Sequence, residues 1–106
     1  MKKIIASGDY EKHLTEILEW SGKTFGIRQA KKYFLTISKF VEKLDTDYTY
    51  HPECRHLATQ SRMYRNIILD AHLIIYRITG ECIEVLDIVH SASSISKIRT
   101  VRKIRP

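Results

Sequence analysis

Cysteine and proline are both scarce in this chain of 106 residues, with two of each, and that scarcity narrows what the fold can rely on. Cys54 and Cys82 stand apart, with neither a CxxC pair nor a histidine at metal-ligand spacing, so the sequence signals neither a disulfide framework nor a zinc site. Both read as ordinary thiols, and no metal or cofactor is implied. Long apolar runs are also missing. The opening MKKIIASGDYEK holds two lysines but only three consecutive apolar residues, far short of a secretory signal. No stretch approaches the roughly 20 residues of a membrane span. The expectation is a soluble, cytoplasmic protein. Internal repeats and low-complexity tracts are absent as well.

What is present suits one compact domain over residues 1–106, with 43% hydrophobic and 28% charged residues. A domain of this size buries roughly two-thirds of the surface its unfolded chain exposes, enough for stability without staples. The formal net charge is +6, which fits an acidic protein partner, a nucleic acid or both without choosing between them. Its distribution is uneven: Lys97, Arg99, Arg102, Lys103 and Arg105 fall in the last ten residues, and no acid follows Asp87. Such a run is either a solvated helix end or an electrostatic docking surface.

Residues 2–6 are short and partly β-branched, and Ser7-Gly8-Asp9 follows, which predicts an edge strand and then a helix start with Ser7 or Asp9 as cap. From Tyr10, Leu14, Ile17 and Leu18 recur at helical spacing until Ser21-Gly22, predicting a helix of about three turns with Trp20 covering its end. A second helix begins near Gly26, and Ile27, Ala30, Phe34, Ile37, Val41 and Leu44 form a three-four stripe, widened by Tyr33 and Phe40, suited to packing on a helix or sheet. Residues 45–60 keep neither period and contain the internal Pro52, so they read as a long connecting loop. The segments RMYRNIIL, HLIIYRI and CIEVLDIVH then predict a three-strand antiparallel meander, turning at Asp70-Ala71 and Thr79-Gly80. Ile95, Ile98 and Val101 follow a Ser/Ala start and suggest a short C-terminal helix. The order is βααβββ, an α+β domain in which a helical hairpin packs on one face of a small, mainly antiparallel sheet.

That order, together with MYRNIILDAHLIIYRITGECIEVLDIVH, resembles the RelE/ParE toxin superfamily across nearly the whole chain. Its members show an Arg-bearing strand, a strand ending in Tyr-Arg-hydrophobic and a strand ending in hydrophobic-His. The ParE-like branch is the closer match, since Arg65 to Tyr76 forms a long hairpin and IEVLDIVH resembles that branch's Ile-x-Ile-x-x-Val-x-His strand. Two departures blur the C-terminal signature: Asp87 stands where a basic residue is common, and Ser91-Ala92-Ser93-Ser94 follows the histidine where Arg-Asp is common.

If both turns are two-residue turns, alternation places Tyr64, Asn66, Arg77, Glu84 and His90 on one sheet face. Met63, Ile67, Ile74, Tyr76, Ile78, Ile83, Val85 and Val89 then face the helices, with Arg65 and Asp87 awkward among them. A one-residue slip reverses these faces. An RNase of the RelE type needs cations on the scissile phosphate and an acid–base group, and Arg65, Arg77 and His90 are the candidates. Each also has an ordinary structural reading, as a paired arginine or a strand-end histidine. Candidate target- or antitoxin-binding residues are Tyr64, Arg77, His90, Lys97, Arg99 and Arg102.

The resemblance implies the toxin of a type II toxin–antitoxin pair. On the ParE-like reading it inhibits DNA gyrase without covalent chemistry of its own. The alternatives are a RelE-like endoribonuclease acting on ribosome-bound mRNA and an antitoxin-binding member without toxicity. The expected partner in every case is a cognate antitoxin, an acidic segment that folds on binding.

Overall fold

A computed structural model describes residues 2–106. Strand β1 (Lys3–Ala6) leads into a helical hairpin of α1 (Gly8–Phe25) and α2 (Ile27–Glu42), continued by the single turn α3 (Leu44–Asp47). Strands β2 (Tyr64–Ile68), β3 (His72–Ile78) and β4 (Cys82–His90) follow, and a short helix α4 (Ile95–Thr100) runs into a 3-10 turn at Val101–Lys103. The sheet order is β1-β4-β3-β2, with β1 parallel to β4 and the other pairs antiparallel. The α+β class and the βααβββ order are therefore those read from the sequence. No helix among the described residues is long and apolar enough to cross a membrane.

Helix α1 starts where Ser7 leaves β1. The Ser7 hydroxyl accepts from the Tyr10 amide at 2.9 Å and donates to the Leu86 carbonyl, tying the cap to the sheet. The helix outlasts its expected stop at Ser21-Gly22. Gly22 lies inside the hairpin facing Ala30, where an added Cβ would make an ordinary contact at 3.8 Å, and the helix runs through it. The break falls at Gly26, whose φ of +97° lets α1 end and α2 begin on the same residue. Trp20, expected to cover the helix end, is instead 58% exposed and meets Phe25 edge-on at 5.5 Å.

One face of the sheet packs Ile67, Ile74, Tyr76, Ile83, Val85 and Ile88 against Tyr10, Ile37 and Leu44 of the helices. The other face is also covered, which a domain with all helices on one side would not have. There Cys54, Leu57, Ile75, Leu86 and Val89 pack with Ile98 and Val101 of the C-terminal segment. The predicted loop after α3 helps to close this side. It carries a 3-10 turn at Arg55–Leu57, and Glu53 bridges Arg65, so that a fragment of extended chain lies along the outer edge of β2. The Asn66 amide donates to the Pro52 carbonyl at 3.0 Å and the Cys54 amide to the Tyr64 carbonyl at 2.9 Å. This covers the Tyr64–Asn66 part of the edge against pairing with another strand.

The second turn deviates by one residue and the faces by one bulge. Leu69 and His72 close the first turn around Asp70-Ala71 as expected, but Thr79 and Cys82 close the second around Gly80-Glu81. The parity survives, because Tyr64 pairs with Arg77 and Arg77 with Glu84. It is lost further along. Tyr76 pairs with Val85 and Ile75 with Asp87, so Leu86 is an extra residue and forms a β-bulge. Beyond it every assignment inverts: Ile88 joins the core under the helices, while Val89, expected there, packs on the opposite face.

Candidate partner-binding groove and the C-terminal anchor

Arg77 sits in the middle of β3, on the face covered by the C-terminal segment. Its Nε donates to Glu84 Oε1 at 2.6 Å, and its two Nη atoms donate to Tyr64 Oη and to the carbonyls of Arg102 and Ile104, each at 3.3 Å. Burial opposes the guanidinium charge, but the hydrogen bonds to Tyr64 and Glu84 outweigh it and its pKa stays raised. The guanidinium is thus occupied in holding the chain's own C-terminal segment against the sheet. Tyr64 is half-buried beneath it, with its ring 5.7 Å from the guanidinium carbon.

Arg65 is occupied in a similar way at the other side of the sheet. Its Nη1 donates to the carbonyls of Thr49 at 2.9 Å and His51 at 3.0 Å, and its Nε to the Arg62 carbonyl at 3.2 Å, which pins the loop after α3. Phe40, Tyr50 and Tyr76 surround the buried His51, and burial lowers the pKa of its imidazole.

His90 does not join these arginines. Because of the bulge at Leu86 it pairs with His72, their rings 5.6 Å apart, on the hairpin side of the sheet. From Arg77's partner Glu84 to His90 is six residues of strand, roughly 20 Å. Its Nδ1 accepts from the Ala92 amide at 3.0 Å, which in the neutral ring leaves the proton on Nε2. The structure therefore keeps Tyr64 with Arg77 and separates both from His90, correcting the expectation of one shared polar face.

What does gather around His90 is a groove of about 410 Å³. One wall is a single face of α1, where His13, Glu16, Ile17 and Trp20 follow helical spacing. The edge of β4 at Ile88 and Val89 lines the groove too, together with His72, His90 and Lys97. A second hollow of about 290 Å³ continues around Trp20 toward Phe25 and Tyr33, sharing Ile17, Trp20, Ala71 and His72 with the first. His72 Nδ1 lies 2.7 Å from the Tyr33 hydroxyl, and burial, then the neighbouring His90, lower its pKa.

The groove exists because β1 is shorter than β4. β1 pairs only with Cys82–Val85 before Ser7 turns the chain into α1, so among the described residues Leu86–His90 has no strand neighbour on that side. Asp87 occupies part of the gap. Its carboxylate accepts from the Ile88 amide at 2.8 Å and from His13 Nδ1 at 2.6 Å, which explains an acid that looked misplaced in the sequence. Of the remaining candidates, Lys97 lines the groove, while Arg99 and Arg102 are exposed on the C-terminal segment. Among the described residues no group of three or more His, Cys, Asp or Glu is placed to hold a metal ion.

The α1 wall and the His72–His90 pair were not singled out in the sequence. The spacing 13, 16, 17, 20 was a readable signal, but it mixes charged and apolar residues and does not stand out from an ordinary helix flank. The His72–His90 pairing depends on the bulge, for which the sequence offers no marker.

A helical hairpin seated on one face of a mixed four-stranded sheet, with the C-terminal segment locked on the other, defines the RelE/ParE class of small α+β proteins. Within that class the family described as ParE toxin of type II toxin-antitoxin system, parDE, matches residues 4–95, and this chain belongs to it. A solved structure described as the chromosomal ParDE TA system from P. aeruginosa superposes with a TM-score of 0.70 at 17% identity, covering 85% of this chain and 96% of that one. At that identity the likeness is one of fold. No curated protein sequence matches the chain.

Proposed function

We propose that this protein is a toxin that acts by binding, with DNA gyrase as its target, and that a cognate antitoxin silences it by laying an extended acidic segment in the groove beside β4. The gyrase target is what the resemblance to ParE-like toxins implies, and membership of the ParE toxin family supports it. The observation that carries the mode of neutralisation is the open Leu86–His90 edge, whose Ile88 and Val89 line the groove together with Trp20 and Lys97. An extended segment lying along this edge competes with Asp87 for the Ile88 amide while its side chains enter the apolar hollow, a variant of strand addition at a sheet edge. Lys97 and a net charge of +6 favour an acidic segment and speed its encounter.

Binding is preferred to cleavage because the three candidate ribonuclease groups do not converge. Arg65 and Arg77 are spent on backbone carbonyls, and His90 lies on the opposite side of the sheet from Arg77. A catalytic reading would have to move to His72, His90 and Lys97, which do share the groove.

Expression of the chain alone, followed by growth, transcript integrity and DNA-damage response in one culture, tests the proposal. Growth arrest with damage and intact transcripts, plus inhibition of supercoiling by the purified chain, supports it. Codon-patterned transcript cleavage that His90→Ala abolishes would replace it with the ribonuclease, and normal growth with the non-toxic binding member.

A further inference from the structure

Exposed basic residues lie on both the helical hairpin and the C-terminal segment, but on the hairpin they are interleaved with large exposed apolar side chains and on the C-terminal segment they hardly are. Trp20, Phe25, Ile27, Phe34 and Leu35 are exposed on the helical hairpin, whereas in the C-terminal segment Ile95 is the large apolar side chain left exposed. Protein partners need apolar area at the centre of their contact. A phosphate backbone needs only fixed cations and donors.

The C-terminal segment supplies those cations on a rigid support. Ile98 and Val101 are buried, and Arg77 holds the carbonyls of Arg102 and Ile104, so Arg99, Arg102, Lys103 and Arg105 project from an anchored strip. The 3-10 turn bearing the exposed Arg55 packs against α4 and extends the same charge. Two carboxylates nearby are already neutralised, Glu84 by Arg77 at 2.6 Å and Glu53 by Arg62 at 3.7 Å. What this face presents outward is therefore positive, and much of it is arginine, whose planar fork matches phosphate oxygens.

We infer that the C-terminal face is a docking surface for the phosphate backbone of duplex DNA, read without base sequence. It is distinct from the antitoxin groove, and the choice of duplex DNA among phosphate backbones rests on the gyrase reading proposed above. A DNA contact of this kind would let the toxin sit on the nucleic acid that its target protein handles.

The test is fluorescence anisotropy of the purified full chain with a labelled duplex of mixed sequence, titrated across salt. With about four phosphates neutralised, the slope of log K against log salt is roughly −3.6. The variant Arg99→Ala/Arg102→Ala/Arg105→Ala should flatten that slope by about 2.7. Its fold should persist, because Arg77 grips backbone carbonyls that the substitutions leave in place, and circular dichroism checks this. Lys31→Gln/Lys32→Gln/Lys39→Gln on α2 removes the same net charge and should leave the slope unchanged. The inference is overturned if the tail variant keeps the original slope, if the α2 variant flattens it equally, or if poly-glutamate binds the unaltered chain as tightly as the duplex does. Loss of antitoxin copurification in the tail variant with DNA binding intact would also overturn it, and would assign the strip to the antitoxin.

Discussion

Arg77 and Glu84 meet at 2.6 Å across the β3–β4 pair, their side chains 7% and 19% exposed. Truncating one partner of such a pair leaves the other charge stranded, at a cost of about 3–5 kcal/mol. Arg77→Ala should lower the urea midpoint accordingly. It should also speed proteolysis at Arg99 and Arg102, because the carbonyls of Arg102 and Ile104 lose their donor. Arg77→Lys should recover little, since an ammonium cannot span Glu84, Tyr64 and two carbonyls. Toxicity lost with stability unchanged would mean that Arg77 contacts the target instead.

Gly26 joins the two hairpin helices at φ +97° and ψ 159°, a region essentially closed to residues with a Cβ. Nothing lies within 4 Å of where that Cβ would be, so Gly26→Ala isolates backbone strain from crowding. The expected loss is about 1–3 kcal/mol. Gly80→Ala, also with open space but without the positive φ, serves as the control and should change stability little. Equal losses at the two positions would remove the conformational argument.

His72 and His51 both have pKa values lowered from 6.5, in each case first by burial. Between those lowered values and 6.5 the unfolded chain binds more protons than the folded one, so stability rises with pH through that window and is lost as pH falls through it. The melting temperature should drop as pH falls below about 6.5, beyond what carboxylate titration produces, and His72→Gln and His51→Gln should each flatten the drop. A profile unaltered by either substitution would show that other groups govern it.

How far the sequence could be read follows from what depends on local pattern and what does not. Helical spacing found α1 and α2, and alternation with turn residues found β2, β3 and β4, because each signal lies within its own segment. The pairing of Tyr64, Arg77 and Glu84 on one face was also legible, since a shift of the second turn by one residue preserved the parity. His90 was misplaced because one extra residue, Leu86, sits in the middle of a strand whose apolar run gives no sign of it. The structural reading of Arg65 and Arg77 was open in the sequence, but their partners were hidden for another reason. Their acceptors are backbone carbonyls of Thr49, His51, Arg102 and Ile104, brought close only by the fold.

Trp20 offers the sharpest test of the groove, being the single tryptophan of the chain and lining both hollows. It is 58% exposed, so Trp20→Ala should cost the fold little beyond its edge-on contact with Phe25, about 0.5–1.5 kcal/mol. A central aromatic at an interface contributes about 2 kcal/mol or more on truncation, a loss of roughly 30-fold in affinity. Antitoxin affinity measured calorimetrically should fall by that factor, while Leu35→Ala, also exposed but outside the groove, should leave it unchanged. In the unaltered chain, binding should shift tryptophan emission to shorter wavelength as the indole leaves water. If emission stays fixed and Trp20→Ala binds normally, the antitoxin occupies a different surface, and the open edge at Leu86–His90 is not what it recognises.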